Sequence, residues 1–109
     1  MSRAKGNKAE ELTCKHLQSL DFFVLERNYY SRFGEIDIIA TFEGVLHFIE
    51  VKSGEDYELA IQNITPAKLS KIIKTANIYM KKTSYEGDFS FDAAIVTPQG
   101  VEMVENITL

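Results

Sequence analysis

Between Gly6 and Leu20 the positions Ala9, Leu12, His16 or Leu17, and Leu20 follow the three- and four-residue spacing of one helix face. That spacing predicts an amphipathic helix, which Asp21 ends. Glu10 lies beside the apolar stripe, so its carboxylate can reach inward past a sheet edge. Phe22 to Arg27 reads as a short strand, and Asn28 to Phe33 as a polar turn or hairpin with aromatic cover, broken by Gly34. In the next strand, Glu35 to Ala40, period-two alternation puts Ile36, Ile38 and Ala40 on one face and Glu35, Asp37 and Ile39 on the other. After a turn at Phe42-Glu43-Gly44, Val45 to Val51 is the most apolar strand and reads as central, since both its faces are largely hydrophobic.

Polar character returns at Ser53-Gly54 and persists through weakly periodic residues to Thr65. Thr65 and Pro66 match the cap and first turn of a helix running to about Met80. Its predicted inner stripe is Leu69, Ile72, Ile73, Ala76 and Tyr79 or Met80, with Lys68, Lys71 and Lys74 on its polar sides. Phe89 to Val96 is a further strand containing Asp92, and Pro98-Gln99-Gly100 turns into a short last strand over Val101 to Val104. Helix, three strands, helix and two strands predict an α/β domain with helices packed on a central mixed sheet.

Composition narrows this picture. The 109 residues, 45% of them hydrophobic, suit one domain spanning 1–109 with a modest core. The single cysteine, Cys14, has no thiol partner for a disulfide or a zinc site, which makes a reducing cytoplasmic setting the simplest expectation. The opening segment is charged and does not resemble a secretory signal, and no apolar run is long enough to cross a bilayer, so no membrane association is expected. Sixteen acidic residues against twelve lysines and arginines leave a formal charge of -4. This argues against bulk coating of nucleic acid, but a protein that holds divalent metal must cluster carboxylates. The basic residues collect near the start (Arg3, Lys5, Lys8), around the first turn (Arg27, Arg32), and along Lys68, Lys71, Lys74, Lys81 and Lys82.

Two strands carry charge inside apolar sequence, Ile36-Asp37-Ile38 and Ile49-Glu50-Val51-Lys52. A lone carboxylate in such a setting is costly unless something compensates it. Glu50 and Lys52 share a strand face, roughly 6 to 7 Å apart along the chain. If the strands are neighbours, Asp37 can stand across from Glu50, and the two carboxylates offer oxygen ligands to a hard divalent cation, magnesium rather than zinc. Such an ion could polarise a phosphodiester and lower the pKa of a water. Lys52 could act on that water or hold the phosphate; the sequence does not separate these roles. Glu10 could complete the cluster, directly or through water.

The segments Gly6 with Ala9-Glu10, Gly34-Glu35-Ile36-Asp37-Ile38-Ile39-Ala40 and Phe48-Ile49-Glu50-Val51-Lys52 together resemble the YraN family of uncharacterised bacterial proteins. The likeness continues through Lys68 and its helix to Phe91-Asp92. It implies a restriction-endonuclease-like fold related to that of archaeal Holliday-junction resolvases. It also implies a nuclease motif of Asp followed by Glu-x-Lys, with Asp37, Glu50 and Lys52 as catalytic members and Glu10 as the helix-borne carboxylate. Asp37, Glu50 and Glu10 would then be ligands of Mg²⁺, with Mn²⁺ as a substitute. Two features depart from the family: Ser53 and Gly54 stand where threonine and arginine are common after the lysine, and Pro66-Ala67-Lys68 is less basic than usual.

The expected activity is metal-dependent endonucleolytic hydrolysis of DNA, branched or repair intermediates included, recognised by structure and not by sequence. Homodimerisation is expected because coordinated cutting of two strands benefits from two sites. Lys68, Arg27, Arg32 and Tyr30 are candidate nucleic-acid contacts. The rival readings are a noncatalytic nucleic-acid-binding module that retained the nuclease scaffold, and a protein-binding adaptor. Glu35 reads equally as a rim residue or a ligand. His16 and His47 read as packing or surface groups, Cys14 as core and Asp92 as structural. Tyr29, Tyr30 and Phe33 divide evenly between base stacking and cover.

Overall fold

A computed structural model describes the backbone of residues 3–108 and the side chains of residues 7–108. The side chains of Arg3 and Lys5, expected in the N-terminal basic cluster, lie outside the described residues. In chain order the elements are α1 (Arg3–Ser19), β1 (Phe23–Ser31), β2 (Gly34–Phe42), β3 (Val45–Ser53), α2 (Tyr57–Ile61), α3 (Pro66–Lys82), β4 (Phe89–Thr97) and β5 (Gly100–Val104). The strands form one five-stranded sheet ordered as they occur in the chain. All neighbours are antiparallel except β3 and β4, which run parallel. A parallel pair needs a crossover, and α2 and α3 supply it.

The two helix stripes bury opposite faces of this sheet. Ala9, Cys14 and Leu17 of α1 pack with Ile38, Ala40, Ile49, Val51, Ala94 and Val96. On the other face Ile72, Ala76 and Tyr79 of α3 meet Ile36, Ile39, Leu46, Phe48 and Phe91. Alternation along β3 therefore sends Leu46 and Phe48 to α3 but Ile49 and Val51 to α1, which is why this central strand lacks a polar face. The result is a mixed sheet flanked by helices, the restriction-endonuclease-like α/β fold.

The start of α3 forms as its sequence predicts: the Thr65 hydroxyl accepts a hydrogen bond from the Lys68 amide, and Pro66 occupies the first turn. Its stripe also includes buried Thr75, whose hydroxyl bonds to Ser31 at 2.7 Å and ties the helix to the end of β1. The region expected to be a turn from Asn28 to Phe33 is instead mostly strand. β1 runs on to Ser31, and only Arg32 and Phe33 lie between the paired residues Ser31 and Gly34. The β2–β3 connection is equally tight, with φ of 49° at Glu43 and 80° at Gly44, the left-handed pair that matches strand twist in a two-residue hairpin. Helix α2 was not anticipated. Its cap, Asp56 accepting from the Leu59 amide, lies in the acidic stretch read as irregular, and only Ala60 is buried among its five residues.

Strand β2 departs from the predicted alternation. Ile36 packs toward α3 and Ile38 toward α1, so these residues do not share a face. The break coincides with Asn28, which falls between the Arg27–Ile38 and Tyr29–Ile36 pairs and takes a left-handed φ of 54°. Asp37 sits at this irregularity.

Candidate metal centre

Three elements carry the acidic groups to one place. The β2–β3 ladder runs from Phe42–Val45 to Ile38–Ile49. Just past its end, the Asp37 carboxylate accepts a 2.8 Å hydrogen bond from the Val51 amide, so a side chain satisfies a β3 donor. This pulls Asp37 between the strands and against Glu50, whose carboxylate lies within hydrogen-bonding contact. From α1, Glu10 reaches the same place. Glu10, Glu35 and Asp37 each offer an oxygen within 4.8 Å of the other two, a grouping that can coordinate a metal ion.

The electrostatics show how poorly this cluster is balanced by protein groups alone. Burial, followed by the charge of Glu50 and its contact, pushes the Asp37 carboxyl up to about 9, against a lowering influence from the Val51 amide. Burial also raises Glu10. The Asn28 side chain that hydrogen-bonds it and nearby Arg27 pull down, while Glu35 and Glu50 push up. Glu10 is only 8% exposed, and its Oε1 has no hydrogen-bond donor among the described residues; the Arg27 guanidinium stands 3.8 Å away. A buried carboxylate oxygen without a donor is expensive. The donors are all carboxylate oxygens, which suits Mg²⁺ or Mn²⁺ and not a thiophilic metal.

Glu10, Asp37, Glu50 and Lys52 are thus brought together. The Lys52 ammonium lies 3.4 Å from Glu50 Oε1, beside the cluster and half-buried. Glu35, which sequence reasoning left between rim and ligand, joins Glu10 and Asp37 in the grouping that can coordinate a metal ion; its period-two spacing from Asp37 was the available signal. Asn28 was overlooked, because nothing in its local sequence announces a left-handed residue inside a strand.

The nucleic-acid contact candidates are spread more widely. Arg27 pairs with Glu10. Lys68 donates to the Asn63 carbonyl at 2.9 Å, which ties its exposed side chain to the loop before α3. Arg32 lies over the Phe33 ring, 4.9 Å from its centre. Tyr30 is exposed, whereas Tyr29 packs edge-on against Tyr79. Away from the centre, Asp92 is 2% exposed and accepts from Ser90 and the Asn106 amide while bonding His47 Nδ1 at 2.5 Å. Burial would raise its pKa, but these hydrogen bonds outweigh burial and hold it below the usual carboxylate range. Cys14 is a buried free thiol.

A family model described as "Uncharacterised protein family UPF0102" matches residues 9–96, which include every residue of the carboxylate cluster. The chain belongs to this family. That agrees with the YraN resemblance. UPF0102 proteins of Sulfurimonas denitrificans and Wolinella succinogenes are 56% and 55% identical to it over 109 residues, covering all of both chains. A Helicobacter pylori relative is 55% identical over 106 residues, 97% of this chain and 92% of its own. Fold, family and acidic cluster together make a nuclease-like scaffold. No helix among the described residues is long and apolar enough to cross a membrane.

Proposed function

We propose that this protein is a metal-dependent endonuclease that hydrolyses phosphodiester bonds of DNA, branched or repair intermediates included, in the cytoplasm. The observation that carries the reading is the donor-free Oε1 of buried Glu10, held beside Asp37 and Glu35 in a cluster whose charges conflict unless a cation joins them. Asp37, Glu10 and Glu50 would hold Mg²⁺ or Mn²⁺, with Glu35 as a further ligand. Such an ion, when bound, polarises the phosphate and lowers the pKa of a water.

The chain's own groups do the rest. Val51 fixes the Asp37 carboxylate through its amide, and Asn28 does the same for Glu10 through its side chain. Lys52, steered by Glu50, presents a positive charge that can neutralise a non-bridging phosphate oxygen or orient the attacking water. The whole chain acts as one endonuclease-like domain, and two copies pair to serve two strands.

The test compares purified parent, Asp37→Asn, Glu50→Gln and Lys52→Met on linear, nicked, flapped and four-way DNA in EDTA, Mg²⁺ and Mn²⁺. Cleavage by the parent in metal alone, abolished in Asp37→Asn and Glu50→Gln, is the expected result. Equal activity of parent and Asp37→Asn would expose a contaminating nuclease. Binding of branched DNA with no cleavage in any metal would establish the noncatalytic module instead.

A further inference from the structure

Resting on the nucleic-acid reading of the metal centre, we infer that Tyr30 is a stacking platform for an unpaired base beside the scissile phosphate, so that the substrate is DNA with a single-stranded nucleotide at the cut. The register places it there. Tyr30 pairs directly with Glu35 across the β1–β2 ladder, and residues paired this way project from the same face as close neighbours. Glu35 in turn belongs to the carboxylate cluster with Glu10 and Asp37. An aromatic ring therefore stands one side chain away from the carboxylates that would hold the metal.

Tyr30 is 60% exposed, and its side chain has no ring partner and no hydrogen bond among the described residues. Its neighbour Tyr29 has the opposite fate, packed edge-on against Tyr79 in the core. The contrast matters because both are tyrosines on one strand, and only the one facing the cluster is left open. A flat, uncovered π-face suits a base of any identity, whereas the bases of an intact duplex are already stacked on one another.

The surroundings suit the same ligand. Arg32 and Lys74 both approach the Phe33 ring, at 4.9 and 5.4 Å. Lys71 sits against Gly34, where an added β-carbon would meet its own at 3.5 Å. All three cations are exposed, and none is in an ion pair among the described residues, in a chain whose net charge is -4. The Ser31–Thr75 hydrogen bond pins the turn that carries Arg32 to α3, the helix of Lys71 and Lys74, so the three cations gather on a fixed support at the end of β1, on the α3 side of the sheet. Unpaired like charges gathered on a rigid support, within an otherwise acidic protein, call for phosphate.

Fluorescence anisotropy in Ca²⁺ tests this with a fully paired duplex and the same duplex bearing a single-stranded flap, 2-aminopurine being placed at the flap junction. The parent prefers the flapped DNA and quenches the 2-aminopurine on binding. Tyr30→Ala lowers that preference about tenfold, the loss expected of one aromatic–base stack, and relieves the quench, while Tyr30→Phe retains both. Lys71→Glu with Lys74→Glu weakens binding of both DNAs and flattens its dependence on salt. Equal parent affinity for paired and flapped DNA, or a preference and quench that survive Tyr30→Ala, would overturn the inference. Flap selectivity that depends on Tyr30, without cleavage in Mg²⁺ or Mn²⁺, upholds the stacking of an unpaired base on Tyr30 while removing the nuclease reading and with it the placement at a cut. Cleavage whose selectivity ignores Tyr30 removes this inference alone.

Discussion

Asp37 holds a position that a folded chain without metal tolerates only by keeping it protonated. Its carboxyl is pushed up to about 9, chiefly by burial and then by Glu50, so near neutral pH the folded state retains a proton that the unfolded chain has given up. The folded state therefore binds more protons above the unfolded value of about 4. In EDTA, stability should fall as pH rises from about 4 toward the folded value, and thermal melts across that window should show it. Asp37→Asn resembles the neutral acid, so its metal-free melting temperature should lose that downward slope and match or exceed the parent's at neutral pH. A parent melting curve flat from acid to neutral pH would contradict this origin of the strain. Cation binding should release the Asp37 proton, visible by titration calorimetry as a heat that depends on the ionisation enthalpy of the buffer. Lys52→Met keeps an aliphatic stem and all the carboxylates, so Mg²⁺ affinity should survive while cleavage slows by about 10²-fold or more. Loss of both together would mean that Lys52 supports the cluster and not the chemistry.

Two elements carry separable shares of stability. Removing the Thr65 cap by Thr65→Ala should cost about 1 kcal/mol in urea unfolding, because one amide at the start of α3 loses its acceptor. The buried Asp92 knot ties β4 to β3 through His47 and to the segment after β5 through the Asn106 amide. Asp92→Ala leaves those donors inside the protein unpaired and should cost about 2–4 kcal/mol. The Asp92 pKa is depressed on folding, so its contribution is present above the unfolded value of about 4 and disappears as pH falls through the lower folded value. The parent should therefore lose stability to acid more steeply than Asp92→Ala below about pH 4. Parallel acid limbs for the two proteins would show that the knot does not contribute in this way.

At the scale of the whole molecule, the sheet leaves β1 and β5 as its edges, and β1 carries Phe23 at 68% exposure. An edge strand with exposed apolar groups is a template for pairing. The proposed homodimer should appear in sedimentation velocity of the parent, and Phe23→Glu should shift it to one subunit with the far-ultraviolet circular dichroism unchanged. A parent that stays monomeric at every concentration, with and without DNA, would remove the dimer. Net charge adds a second constraint. With -4 overall, long-range attraction to DNA is weak, so affinity has to come from local cations and from the neutralised carboxylate cluster.

The chain's hydrophobic periods alone determined that α1 and α3 are amphipathic, that β3 is buried on both faces, and that the architecture is helices on a mixed sheet. Those patterns are local, repeating at 3.6 or 2 residues, and need no knowledge of neighbours. The charges within apolar strands likewise marked Asp37, Glu50 and Lys52, because burying a carboxylate is costly wherever the strand lies. Tertiary structure decided what depends on one strand meeting another. The alternation of β2 breaks opposite the left-handed Asn28, where Ile36 and Ile38 part to opposite faces and Asp37 takes the Val51 amide; no period predicts such a break. Glu35 became part of the cluster, and Tyr30 and Tyr29 parted into open and buried roles, only once pairing register and the docking of α1 and α3 were set. A strand's sequence specifies which residues alternate, but its neighbours determine what each face meets.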